Sequence, residues 1–259
     1  MPNRRLPNTL SSVIRTLTTA RDALNQFPSA RLVSADHAAK LDGSQPDSFL
    51  NVFLKEAGDV PNALAAQAPL TSALGQAIAR LTLHTSHFHQ VYDLGVARGV
   101  FTAGGRAFYG RDITATTLPD LRSIPAVLEA AAKIAPGEAA RQTAEGAAFT
   151  PMTLPAAGEV AAVHADALEK RAAAETAKLH TDTEEGELAI LYPAAQKLAV
   201  SLINTIEFHL AEREDLDAPG RRRIARAWGV VYVNDDGTVA EETAPALENG
   251  TPVSTPPAP

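Results

Sequence analysis

Three of the chain's seven histidines fall within six positions, in the stretch HTSHFHQ: His84, His87 and His89. Histidine is the commonest metal ligand and the side chain whose charge changes nearest neutral pH, so the cluster raises a metal or proton-transfer site. The stretch has helical periodicity, and a helix turns about 100° per residue. With His84 at 0°, His87 falls at about 300° and His89 at about 140°, so one ion cannot take all three. The apolar stripe of Leu70, Leu74, Ala77, Leu81, Phe88, Val91 and Tyr92 occupies about 340° to 120°. His84 is therefore expected on the core side, with His87 and His89 on opposite edges. His84 and His87 lie one turn apart and could supply two ligands to a divalent transition metal. A third would come from another helix: His164, His180 or His209, the last beside Glu207. The competing reading is a hydrogen-bonded core His84 with two surface histidines. It is the preferred one, and no cofactor is expected.

A second constellation is the loop TAGGRAFYGRD. Its glycines permit open backbone, and Arg106 and Arg111 suit a carboxylate or phosphate. It lacks the Lys-Ser/Thr pair of a phosphate-binding P-loop. The preferred reading is a loop folded over a helix end by Phe101, Phe108 and Tyr109; if a small anion binds, Arg106 and Arg111 hold it. Other chemistry is missing from the sequence. There is no cysteine, no Gly-x-Ser-x-Gly, no His-Glu-x-x-His and no Glu-x-x-His, which removes thiol catalysis, the common hydrolase elbows and a ferritin-like di-iron centre. Arg221, Arg222, Arg223 and Arg226 form the one basic cluster, preceded by the acidic EREDLD, and local ion pairing accounts for both.

The elements that must position these groups are helical. Hydrophobic residues are 45% of the chain and aromatics only 5%, which favours alanine-rich packed helices over a β-sandwich. The formal charge of −7 disfavours nucleic-acid binding, and no apolar run is long enough to span a membrane. A soluble, cytoplasmic protein is expected. The spacing predicts a helix over 9–26, a short one opening at Pro46-Asp47-Ser48, and a long one from Pro69 to Arg98. Further helical pattern runs over 119–147, broken by Pro125 and Pro136-Gly137, and over 156–184. It restarts at Leu188 and continues to Leu210 with Pro193 inside the stripe. Asp217-Ala218-Pro219 opens a short helix that Gly229 ends, with Trp228 anchoring it to the bundle. VVYV, NDDG and TVAEE suggest a strand, a turn and a second strand. The proline-rich last seventeen residues have the composition of a disordered tail.

Three segments, SHFHQVYDLGVARGVF (86–101), RAFYGRDITATTLPDL (106–121) and RRRIARAWGVVYV (221–233), occur in an order and spacing that resembles a family of uncharacterised bacterial helical proteins. Members of that family carry SHFxQVLNLAIxRGxF, then RAxYxLD, and end near RRKAREWGVVY. The resemblance covers roughly residues 80 to 233 and implies a mainly helical fold with no assigned catalytic residue. Where its members have a hydrophobic residue beside Phe88, this chain has His89, which argues against a shared metal trio.

The expected architecture is an all-α antiparallel bundle of long amphipathic helices, with a small C-terminal β segment and a disordered tail. Residues 1–8 are an extension, 9–233 the bundle (one body, or two lobes divided near 99–119), and 234–259 the turn segment and tail. The expected function is a non-enzymatic structural or protein-interaction role, through a protein partner or self-association. The alternative is a metal- or small-ligand-binding bundle.

Overall fold

The structure, a computed structural model, describes residues 2–27, 32–115 and 117–240; the proline-rich tail lies outside them. Among the described residues it contains seven α-helices and one two-stranded sheet: β1 (Asn3–Arg5), α1 (Leu10–Gln26), α2 (Ala35–Leu41), α3 (Phe49–Ala97), α4 (Ile124–Ala132), α5 (Ile134–Glu145), α6 (Ala157–Ala211), α7 (Ala218–Ala227) and β2 (Val231–Val233). No helix among them is long and apolar enough to cross a membrane.

The helix ends follow their sequence signals. Thr9 caps α1 with a reciprocal box to Ser12, and the Asp217 carboxylate accepts the Gly220 N–H at 2.7 Å to cap α7. Gly229 ends α7 at φ 90°, pressed so closely on Thr16 of α1 that a side chain would strike its carbonyl. The prolines depart from expectation. The segments expected as separate helices over 48–58 and 69–98 are one 49-residue helix, with Pro61 and Pro69 inside it. Likewise 157–211 is one 55-residue helix through Pro193. A proline removes one donor and frees the carbonyl four residues back. All three prolines are exposed, so those carbonyls can be solvated and the helix continues. Pro125 and Pro136 lie in the first turns of α4 and α5, where no donor is lost.

The chain forms two compact units, Met1–Gly58 with Gly186–Pro259, and Asp59–Glu185. The division thus falls within α3 and α6, while the 99–119 loop lies inside the second unit. In the first unit, Val13, Leu17 and Ala20 of α1 share a core with Leu50 and Phe53 of α3, Leu202, Ile203 and Ile206 of α6, and Trp228. Its sheet pairs β1 with β2 antiparallel, Arg4 opposite Tyr232. Asn3–Arg5, within the extension of residues 1–8, thus supply the partner of VVYV. Of TVAEE, the described residues 238–240 contribute a single bridge, Val233 to Val239, and the rest lies outside the described residues. In the second unit, Leu81, Phe88 and Tyr92 of α3 pack with Tyr109, with Val127 and Ala131 of α4, with Ile134, and with Val160 and Ala167 of α6.

Candidate functional site

The buried histidine of α3 is His89, not His84. His89 is 1% exposed, while His84 is partly exposed, its Nδ1 2.9 Å from the Arg80 carbonyl, and His87 lies at the surface. The buried arc holds Ala77, Phe88, Leu81, Tyr92, Thr85 and His89, which on the same wheel spans roughly 20° to 140°. Val91, counted in the stripe, is 37% exposed and falls outside it. The arc is rotated because two polar residues, Thr85 and His89, occupy core positions and one apolar residue does not.

His89 stands edge-on to Phe88 and Tyr109, with ring centroids 5.8 and 6.4 Å away. Among the described residues, no group hydrogen-bonds either ring nitrogen, nor the buried hydroxyl of Thr85 one turn earlier. Burial lowers the His89 pKa to about 4; the nearby Arg111 charge adds to this and Asp93 opposes it. At neutral pH His89 is an uncharged core side chain.

Arg106 and Arg111 do meet a carboxylate, but it is the chain's own. Arg106 Nε donates to Asp93 Oδ1 at 2.8 Å. The two terminal nitrogens of Arg111 donate to Oδ1 at 3.0 Å and Oδ2 at 2.9 Å, a bidentate pair. The guanidiniums also bind the carbonyls of Ile113 and Thr117, both at 2.9 Å. Burial works against the Asp93 charge, but the hydrogen bonds from Arg111 and Arg106 outweigh it and hold the carboxyl below its usual range. The guanidiniums that could have met a small anion are thus engaged in fastening the loop to α3. A cleft of about 390 Å³ adjoins it, bordered by Lys133 and Arg111 but also by Asp112, Asp120 and Glu129, so it has no net preference for an anion.

Behind the same loop lies a network the sequence reading missed. Arg141 is fully buried. Its Nε donates to the Tyr109 hydroxyl at 2.9 Å and to Glu138 at 3.1 Å, one terminal nitrogen to Glu145 at 2.8 Å, and the other to Glu138 at 3.0 Å and the Thr150 carbonyl at 2.7 Å. The Tyr109 hydroxyl also donates to Glu138. Phe149, Phe101 and Tyr92 surround the guanidinium, with ring centroids 4.5, 5.1 and 5.8 Å from its carbon. Every partner is satisfied, so the cluster is a structural pin. The available signal was the Glu138, Arg141, Glu145 spacing on one helix face.

The remaining histidines are dispersed. His84 and His87 border a surface cleft of about 290 Å³ with Leu83, Val91, Leu154, Pro155 and Glu159. His164 is partly exposed, and His180 is exposed with its Nδ1 3.3 Å from Glu184. His209, in the first unit, faces Glu212 at 3.6 Å, while Glu207 binds Arg4 at 2.6 Å and the Tyr232 hydroxyl at 2.8 Å. Among the described residues, no group of three ligand atoms within 4.8 Å of one another includes a histidine. In the basic run, Arg221 donates to the Leu216 carbonyl at 3.0 Å, whereas the acidic segment pairs within itself, Arg213 to Asp215.

The seventh histidine, His37, is passed over in the sequence reading and proves the best connected. It is buried, at the third position of α2. Its Nδ1 lies 3.1 Å from the hydroxyl of Ser34, the α2 cap, and its Nε2 lies 3.1 Å from the hydroxyl of Ser201 on α6. The Ser34-x-x-His37 spacing was visible; Ser201, 164 residues away, was not.

One side of α3 in the second unit exposes several apolar side chains. Leu83 is 51% exposed and Leu94 54%, and with His87 and Val91 they fall at i, i+4, i+8 and i+11 along one side of α3. Leu154, 75% exposed, extends the stripe beside the histidine cleft. No protein-family model, curated protein or solved structure matches this chain, so fold and geometry carry the functional argument.

Proposed function

We propose that the chain is a helical protein-interaction module that self-associates through the outer face of its second unit. The observation that supports this is the stripe of Leu83, Val91 and Leu94 on α3, extended by Leu154. Scattered exposed leucines are ordinary, but contiguous apolar side chains aligned on one helix face mark an association surface. A second copy is the partner that fits from the chain's own chemistry: an apolar stripe is complementary to itself, and a two-fold pairing sets the same face against the same face. The internal use of Arg106, Arg111 and Arg141 agrees with this reading, since those charges brace the fold.

The test is mass in solution by light scattering over a concentration series. A concentration-dependent rise above the monomer mass of 27.2 kDa is expected, reversed by the double substitution Leu83→Glu with Leu94→Glu. A strict monomer up to about 100 μM, weaker than interfaces of ordinary size give, would overturn it. So would an oligomer indifferent to those substitutions.

A further inference from the structure

We propose that Ser201 is an acyl-accepting nucleophile and His37 its general base, in a cleft of the first unit that takes small carboxylic esters. This goes beyond the association reading, lies on other residues and stands or falls separately. The geometry has the three parts that activated serines need: a hydroxyl, a base within hydrogen-bond reach, and a third group that orients the base. The Ser201 hydroxyl is 3.1 Å from His37 Nε2, and Ser34 is 3.1 Å from His37 Nδ1. Ser34 is itself fixed, because its hydroxyl oxygen also accepts the His37 backbone N–H at 3.2 Å. When Nδ1–H donates to Ser34, Nε2 presents its lone pair to the Ser201 O–H, which is the tautomer a general base requires.

The surroundings suit acyl transfer. His37 is buried but Ser201 is exposed, so the base is shielded and the nucleophile is open. They border a cleft of about 330 Å³ whose other lining residues are the apolar Phe49, Ala194 and Leu198 and the charged Asp36, Lys40 and Lys197. Lys40 is tied to Asp36 at 2.7 Å. Lys197 sits one turn before Ser201 on α6 and makes no ion pair among the described residues. Its ammonium is the group available to a developing oxyanion. Burial keeps the His37 imidazole neutral more readily than usual, with Asp36 opposing and Lys40 assisting.

In the reaction, Ser201 Oγ forms a bond to the ester carbonyl carbon as its proton passes to His37 Nε2. The carbonyl pair moves onto oxygen, whose charge Lys197, lining the same cleft, would offset. Collapse breaks the bond to the alkoxy group, which leaves as the alcohol with the proton from His37. Water, deprotonated by His37, then attacks the acyl-serine, releasing the carboxylic acid and restoring the Ser201 hydroxyl. Esters rather than amides fit, because Ser201 lies within a continuous helix whose N–H groups are internally bonded. The α6 amides around Ser201 are therefore not free to support the harder reaction.

Two probes on the full chain test this: a fluorophosphonate, read by intact mass and peptide mapping, and p-nitrophenyl acetate turnover. One adduct is expected, on Ser201, with a labelling rate that rises as His37 loses its proton. Hydrolysis is expected to fall about 100-fold or more in Ser201→Ala and in His37→Gln, the usual scale for loss of general-base assistance. Circular dichroism confirms that each variant folds. Ser201→Ala changes an exposed side chain, and it decides the matter alone if His37→Gln does not fold. No adduct on a folded chain, an adduct on a lysine or another serine, or turnover unchanged in Ser201→Ala overturns the assignment.

Discussion

At the scale of single residues, the second unit's core contains one weak point and one pin. His89 is buried with neither ring nitrogen hydrogen-bonded among the described residues, and such groups cost about 1–3 kcal/mol. His89→Leu is therefore expected to stabilise the chain by about 1–2 kcal/mol at pH 7, measured by chemical denaturation. The pH dependence has a definite sign. The folded value of about 4 lies below the ordinary 6.5, so the unfolded chain binds the extra proton between those limits. Stability is full above about pH 6.5 and falls as the pH drops towards 4, where the loss levels off. At about 1.4 kcal/mol per pH unit, the loss is about 3 kcal/mol. His89→Leu should flatten that slope; an unchanged profile would assign the acid sensitivity to other groups. Arg141 is the opposite case. Arg141→Met leaves Glu138 part-buried beside Tyr109 without its cation, and a loss of about 3–5 kcal/mol is expected in the same denaturation experiment.

At the scale of elements, the loop after α3 is held by charge and by close packing. Asp93 receives both guanidiniums of the 106–111 segment. Asp93→Asn keeps the size but removes the charge and one acceptor. Amide exchange across residues 100–115 is expected to quicken about 10- to 100-fold while the amides of α6 are unaffected, as for a local opening of about 1.5–3 kcal/mol. Gly137 marks the closest approach of α5 to this loop: a side chain there would meet the Phe108 carbonyl and the Tyr109 ring. Gly137→Ala is expected to lower the melting temperature despite alanine's better helix propensity, because backbone cannot yield as a side chain can.

At the scale of the whole molecule, the net charge of −7 and the apolar stripe act against each other in self-association. In the pairing proposed above, two copies of this charge repel at low salt, while the stripe of Leu83, Val91 and Leu94 carries no charge. Raising ionic strength from about 0.05 to 0.5 M should therefore strengthen association, since the Debye length falls from more than 10 Å to a few ångströms. Sedimentation at both salts checks this, and weakening by salt would point to a charged interface instead.

Much of the architecture was legible in the sequence because helices are local. The 3.6-residue recurrence of Val13, Leu17 and Ala20, the Asp217 cap and the turn at Gly229 each depend on neighbours a few positions away. The all-α bundle and the buried Trp228 follow from them. Continuity through Pro61, Pro69 and Pro193 was not legible, because the cost of a proline depends on whether the freed carbonyl meets solvent. The rotation of α3 that buries His89 was not legible either. A hydrophobicity stripe treats Thr85 and His89 as outside positions, and only the facing surfaces of Tyr109 and Phe88 show that they are inside. The guanidiniums of the 106–111 loop were legible as groups suited to a carboxylate or phosphate, but that Asp93 is their partner was not, because it is one of many acidic residues until the chain folds back on it. The pairing of Asn3–Arg5 with Val231–Val233, and of His37 with Ser201, joins groups that chain order holds far apart. Periodicity and capping are properties of short stretches, and the sequence by itself determines them. Which polar side chains end up together is decided by how α2, α3 and α6 pack, and that is a property of the tertiary structure alone.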